Sequence, residues 1–464
     1  MGTVPTPHFV IFPFMSHGHT IPLLHLATLL RHRFVAVTVF TTPANAPSIR
    51  DFLQDETISV IELPFPKDVD GIPPGVENTE KLPSMSSFYQ FARATKLMQP
   101  LFEQALLGLQ PATCIISDAF LGWTQQSAEN FGILRYFFFG MSIFATTLYQ
   151  VLGIERPHAE AIPNVTFTFS SFPWLKLTRN DFEPPFGDLE PKGPAVDFML
   201  EQAVSLAKSR GMITNSFYEL EPRFADYWNQ HLGPKSWCVG PLCLAKQPMT
   251  PNITHPDNKH ETWMQWLNSK LADRQPVLYV AFGTQAEISA EQIQEIARGL
   301  ELSNTIFLWV TRPKVLENLK GFEERVKDRA LIVKEWVDQS EVLRHKSIKG
   351  FLSHCGWNSV LESICAKVPI LALPLMAEQH LNAKFVVEEI GVGLRIMPKN
   401  GSTRGFVEAE EVEKMVRELM EGEKGEGVRK KVKEMGENAW EAMKEGGSSW
   451  STLSLLIDDA CGGK

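Results

Sequence analysis

Two polar residues stand directly after apolar stretches that read as β strands. They are His19, in Gly18-His19-Thr20-Ile21-Pro22, and Asp118, in Ser117-Asp118-Ala119-Phe120. An imidazole can take a proton from a hydroxyl near neutral pH. A carboxylate beside it fixes the tautomer and stabilises the imidazolium that forms. His17, two residues before His19, reads as a solvated or hydrogen-bonded loop residue. Taken alone, both histidines read better as plain turn residues, and Asp118 reads also as an ordinary helix N-cap.

A second concentration of chemistry runs from Trp336 to Gln379. Ile348 to Leu352 reads as a strand and Val360 to Ala366 as a helix, with Ser353-His354-Cys355-Gly356-Trp357-Asn358-Ser359 between them. The first turn of a helix favours an anion, and Asn358, Ser359 and His354 can add side-chain donors to it. Gly356 lets the backbone come close to a ligand. Thr284, in the tight Phe282-Gly283-Thr284 turn after another strand, is a further donor for a diphosphate. Trp336 offers a flat apolar face to a nucleobase, and Glu362 can accept from both hydroxyls of a ribose.

The whole segment resembles the signature box of the plant family 1 UDP-glycosyltransferases. It matches at Trp336, Gln339, His354 to Ser359, Glu362, Pro369, Glu378 and Gln379. The resemblance implies a UDP-sugar site that also includes Val337. It places Gln339 near the uridine, and Trp357, Glu378 and Gln379 on the sugar hydroxyls; the terminal glutamine favours glucose. It also implies that His19 is the catalytic base and Asp118 its partner. Many relatives carry a hydroxyl residue where Gly140 stands here, with Ser142 as a substitute. Neither metal nor cofactor is expected: there is no paired-carboxylate D-x-D motif, and the leaving diphosphate is met by neutral donors.

The elements that must position these groups fall into two α/β halves. His8 to Phe12, Phe34 to Thr41, Ile58 to Leu63, Thr113 to Ser117 and Leu134 to Phe139 are predicted strands separated by helical patterns. Pro22 is placed in the first turn of the first helix. Val277 to Phe282, Ile306 to Thr311 and Ala330 to Val333 repeat the grammar, and Ser289 with Gln292 forms a predicted capping box. Strands alternating with helices argue parallel, doubly wound sheets. The resemblance implies two Rossmann-like domains facing across a cleft, the GT-B arrangement. The expected divisions are 1–240, a linker at 241–262, 263–445, and a last helix at 446–464 returning to the first domain.

Composition narrows the rest. The 464 residues are 44% hydrophobic and carry a net charge of −9 with no basic run, which removes the electrostatic basis for nucleic-acid or anionic-membrane binding. No apolar stretch reaches a membrane span, and the six cysteines lack metal or disulfide spacing. The expectation is a cytoplasmic, monomeric enzyme whose partners are a UDP-sugar and a small-molecule acceptor. The Asn164 and Asn252 glycosylation sequons are then chance occurrences. Phe88, Phe91, Phe120, Phe138, Phe139, Phe182 and Phe186 supply candidates for an apolar acceptor wall, suited to a flavonoid or other phenolic. Transfer to carbon or nitrogen, and UDP-sugar binding without transfer, are the alternatives. A dehydrogenase would need the G-x-G-x-x-G turn that is missing after the first strand.

Overall fold

The computed structural model describes residues 6–157, 162, 164–245 and 258–462, with side chains from 262 onward in the last stretch. Most of the expected linker, with the sequon at Asn252, lies outside them. The chain divides into two compact units. The first comprises Met1–Ile143, Glu190–Gln247 and Ala442–Lys464; the second comprises Phe144–Leu189 and Pro248–Glu441.

The first unit is built on β1 (His8–Phe12), β2 (Ala36–Thr41), β3 (Ser59–Glu62), β4 (Cys114–Asp118), β5 (Leu134–Phe139), β6 (Gly211–Thr214) and β7 (Ser236–Cys238). Their order is β3-β2-β1-β4-β5-β6-β7, all parallel. Helices cover both faces, so β1 and β4 are buried along their whole length, as their unbroken apolar runs require. Order reverses between β1 and β4, where Phe12 is in register with Ser117. That reversal opens the carboxyl edge of the sheet at the point where doubly wound folds bind ligands.

The helix after β1 starts earlier than its proline suggested. It runs His17–His32, so Pro22 falls in the second turn, not the first. The Glu80 carboxylate, from a distant loop, accepts the His17 N–H at 2.8 Å and caps this start. The helix Ser448–Ala460 belongs to the first unit. Leu453, Leu456 and Ala460 share a core with Leu23, Leu26 and Leu30. Asp459 accepts from the Tyr136 hydroxyl and from Arg210, and the Arg33 guanidinium lies 4.0 Å over the Trp450 ring.

The second unit orders β8 (Val277–Ala281), β9 (Ile306–Val310), β10 (Ala330–Val333), β11 (Ile348–Ser353), β12 (Ile370–Ala372) and β13 (Gly393–Arg395) as β10-β9-β8-β11-β12-β13, again all parallel. Ser289 caps the helix Ala290–Leu302 by accepting the Gln292 N–H. The reciprocal half of the expected capping box is not formed, because the Gln292 amide instead makes two bonds to the Val407 backbone.

Residues 144–189, placed in the first domain from sequence, pack with the second unit. Phe144 meets Phe385 at 5.0 Å, and Glu183 pairs with Arg404 at 2.7 Å. Phe182 and Phe186 pack on Tyr149 within this unit. Among the described residues no helix is long and apolar enough to cross a membrane.

Candidate active site

Parallel pairing of β1 and β4 carries the turn after β1 and the end of β4 to the same edge. His19 stands in the first turn of its helix, and Asp118 closes β4. Their side chains meet, with His19 Nδ1 2.7 Å from Asp118 Oδ2. Asp118 is fully buried while the His19 side chain keeps 23% of its surface. The other carboxylate oxygen, Oδ1, accepts the Phe120 N–H at 2.9 Å, so Asp118 both orients the imidazole and caps its own turn. A carboxylate only accepts, so Nδ1 carries the proton and Nε2 becomes the basic nitrogen. His17 turns elsewhere, toward Glu80.

Behind the pair lies Arg135, a buried guanidinium that the sequence reading passed over. It donates to Ser117 Oγ at 2.8 Å, Ser209 Oγ at 2.7 Å and the Asp118 carbonyl at 3.2 Å. Burial draws its pKa down to about 9, with Asp118 pulling the other way.

Aromatic rings enclose the imidazole. Phe14 and Phe120 lie 5.7 and 5.2 Å from it, and Phe88 touches both of those rings. Phe120 and Phe88 remain partly exposed, whereas Phe91 and Phe138 are core and Phe139 is buried. At Gly140 an added Cβ would lie 3.3 to 3.6 Å from three atoms of the His19 ring, so the missing side chain leaves that ring its room. Ser142 is buried.

The second unit gathers the other group. Ser353 is in register with Ala281, so the turns after β11 and β8 leave the sheet side by side. The His354 ring sits between them. A Cβ on Gly283 would come to 2.8 Å from its Nε2, and one on Gly356 to 2.6 Å. Two glycines are therefore the condition for the ring's position. Burial lowers the His354 pKa to about 4, opposed by the Ala281 backbone, so the ring is neutral. Its Nδ1 is buried with no hydrogen-bond partner among the described residues, which suits a site awaiting an acceptor or donor from outside.

Gln339 links the rest. Its Nε2 donates to Ser359 Oγ at 2.8 Å and to Glu362 Oε2 at 2.6 Å, while Ser340 donates to Glu362 Oε1 at 3.0 Å. Enclosure raises the Glu362 carboxyl to about 7 despite those two donors. Trp336 is 70% exposed, an unusual state for an indole unless something stacks on it, and Thr284 is exposed in its turn. Asn358 is half-buried in the first turn of the helix Trp357–Ala366.

Val337 and Trp357 are buried, so their side chains are core, and what they can offer a ligand is backbone. Gln379 Oε1 accepts the N–H groups of Leu375 and Met376, both at 3.0 Å, which fixes its amide with Nε2 as the outward donor. Its neighbour Glu378 stands half-buried at the start of the same short helix, Gln379–Lys384.

Residues 252–422 match the model of the family described as UDP-glucoronosyl and UDP-glucosyl transferase. The chain is 49% identical to UDP-glycosyltransferase 90A1 of Arabidopsis thaliana, with 98% of this chain and 96% of that protein covered. The chain belongs to the plant family 1 UDP-glycosyltransferases. It is 35% identical to the scopoletin glucosyltransferase of Nicotiana tabacum, with 97% of each covered. The solved structure of UGT2 of Phytolacca americana with UDP-2fluoro-glucose and pterostilbene is 29% identical. It superposes with a TM-score of 0.79 over 98% of this chain and all of that one.

In this UDP-glycosyltransferase, a further buried polar residue lies just past the signature segment, unmarked by any motif. Asn382, fully buried, donates from Nδ2 to the Cys355 carbonyl at 3.0 Å and to Glu378 Oε1 at 3.3 Å. An asparagine on a short helix gives no periodic signal. His380 is also buried, held neutral near a pKa of about 2 by burial, with Arg404 and Arg395 adding to the effect.

Proposed function

We propose that this enzyme transfers glucose from UDP-glucose to a hydroxyl of a small phenolic acceptor, with inversion and without a metal. The observation that carries this reading is the 2.7 Å His19–Asp118 pair set among Phe14, Phe88 and Phe120. The acceptor O–H gives its proton to His19 Nε2 as its oxygen attacks the anomeric carbon. The bond from that carbon to the diphosphate breaks, UDP leaves, and an α-linked donor yields a β-glucoside. Asp118 stabilises the imidazolium in the meantime.

The first unit holds the His19–Asp118 pair and its aromatic neighbours, and the second holds the residues assigned to the donor. Trp336 is assigned to uracil, and Glu362 to the ribose hydroxyls. His354, Thr284, Asn358 and Ser359 are assigned to the diphosphate. The Gln379 amide, Glu378 and the Trp357 backbone are assigned to the sugar. The phenolic class is supported by the partly exposed aromatic rings beside the base, and by the acceptors named for the tobacco and Phytolacca proteins.

The test is UDP release from UDP-glucose with a panel of phenols, in the presence of EDTA. A product heavier by one hexose and labile to acid supports O-glucosylation. An acid-stable product moves the assignment to carbon transfer. Binding of UDP-glucose with no product from any phenol rejects the acceptor class.

A further inference from the structure

The geometry points to Asn382 as a positioning residue that couples the diphosphate-binding turn to the sugar-binding carboxylate, so that the enzyme distinguishes UDP-glucose from the product UDP. This rests on the donor-site reading above. Two observations support it independently of sequence resemblance.

The first is backbone strain. Cys355 adopts φ +62 and Ala377 adopts φ +52, both in the left-handed region that non-glycine residues rarely occupy. Such a residue persists only when its surroundings hold it there. One lies between His354 and Gly356, the other directly before Glu378 and Gln379. The two strained turns therefore flank the two ends of the assigned donor site.

The second is the tether. The fully buried Asn382 amide donates to the Cys355 carbonyl and to the Glu378 carboxylate, at 3.0 and 3.3 Å. Its own N–H donates to the Glu378 carbonyl at 3.0 Å. Both side-chain acceptors lack protons to give, so only the –NH₂ group can serve them, and the amide orientation is determined. On the far side, Ser353 Oγ takes the Cys355 N–H at 3.1 Å. Cys355 is thus gripped at both its N–H and its carbonyl, while Glu378 is gripped at side chain and backbone. A single side chain sets the separation between the turn that carries His354 and the carboxylate assigned to the sugar.

UDP engages only the first of these ends, whereas UDP-glucose engages both. Loss of the tether should therefore penalise the sugar nucleotide more than the nucleotide. Asn382→Asp keeps the shape but sets an acceptor against two acceptors, and Asn382→Leu removes both bonds at similar volume. Calorimetric titration of each variant with UDP and with UDP-glucose reads the effect, alongside melting temperature and kcat.

The expected result for Asn382→Asp is that UDP-glucose affinity falls by about tenfold or more, the scale of one hydrogen bond to a charged group, with UDP affected several-fold less. Equal weakening of both ligands, accompanied by a lower melting temperature, would mean a scaffold role and overturn the coupling. Wild-type affinity for both in either folded variant would overturn it as well. If the unmodified enzyme binds neither ligand, the donor-site reading fails first and the proposal with it, a result distinct from the other two.

Discussion

Glu362 makes donor binding depend on pH in a way that can be worked through. Its carboxyl lies at about 7 in the folded protein, pushed up by enclosure and held back in part by Gln339 and Ser340. The sign follows from linkage. A carboxyl raised above its ordinary value favours the folded state most below about pH 4 and loses that contribution as pH rises through about 7. In the proposed donor site the dependence runs the opposite way, because the ionised carboxylate accepts from both ribose hydroxyls better than the protonated acid does. Relative to its alkaline plateau, UDP-glucose affinity should fall about twofold at pH 7 and about tenfold at pH 6.

His354, assigned to the diphosphate, does not compete in that range, since it is neutral down to about 4. UDP-glucose is the right probe because its diphosphate is esterified at both ends. The assay is calorimetric titration across this range, repeated with Glu362→Gln. The variant should lose the pH slope and bind roughly ten- to a hundredfold more weakly on the alkaline side, the scale for losing charge-assisted hydrogen bonds. A flat profile in the unmodified enzyme, or the same slope surviving in Glu362→Gln, would refute the reasoning.

Three further outcomes are expected. His19→Ala should lower kcat by about two to four orders of magnitude while leaving UDP-glucose affinity unchanged by calorimetry; near-normal turnover would remove His19 from the base role. Gly356→Ala should weaken UDP-glucose binding by about tenfold, because its Cβ would lie 2.6 Å from His354 Nε2 and displace the ring. Tyr136→Phe should cost about 1–2 kcal/mol locally by removing its bond to Asp459, read as faster hydrogen exchange across residues 448–460.

Legibility from sequence followed length and locality. β1, β5 and β10 match their apolar runs end to end, while β7, β12 and β13, three residues each, were too short to carry a period. The start of the first helix was misjudged because its cap, Glu80, is 63 residues from His17. His19 with Asp118, and the segment Trp336 to Gln379, were legible through their resemblance to the family's motifs, since residue chemistry alone favoured turn histidines and an N-cap. Arg135 and Asn382 were not, since each acts through bonds to backbone and side chains that no local pattern announces.

Neither unit is one continuous stretch, and that sets an order on the enzyme's birth. The first unit has its sheet complete by Gln247, yet its core also needs Leu453, Leu456 and Ala460. At ribosomal speeds of about 5–20 residues per second, the nascent first unit waits roughly ten to forty seconds for those residues. During that interval the apolar core that Leu453, Leu456 and Ala460 complete stays open, a natural substrate for a chaperone. The same connectivity governs recombination. A chimera joined at the middle of the chain inherits the closing helix of its acceptor-side unit from the wrong parent, and breeding new specificities by such fusions requires moving residues 442–464 together with the first half.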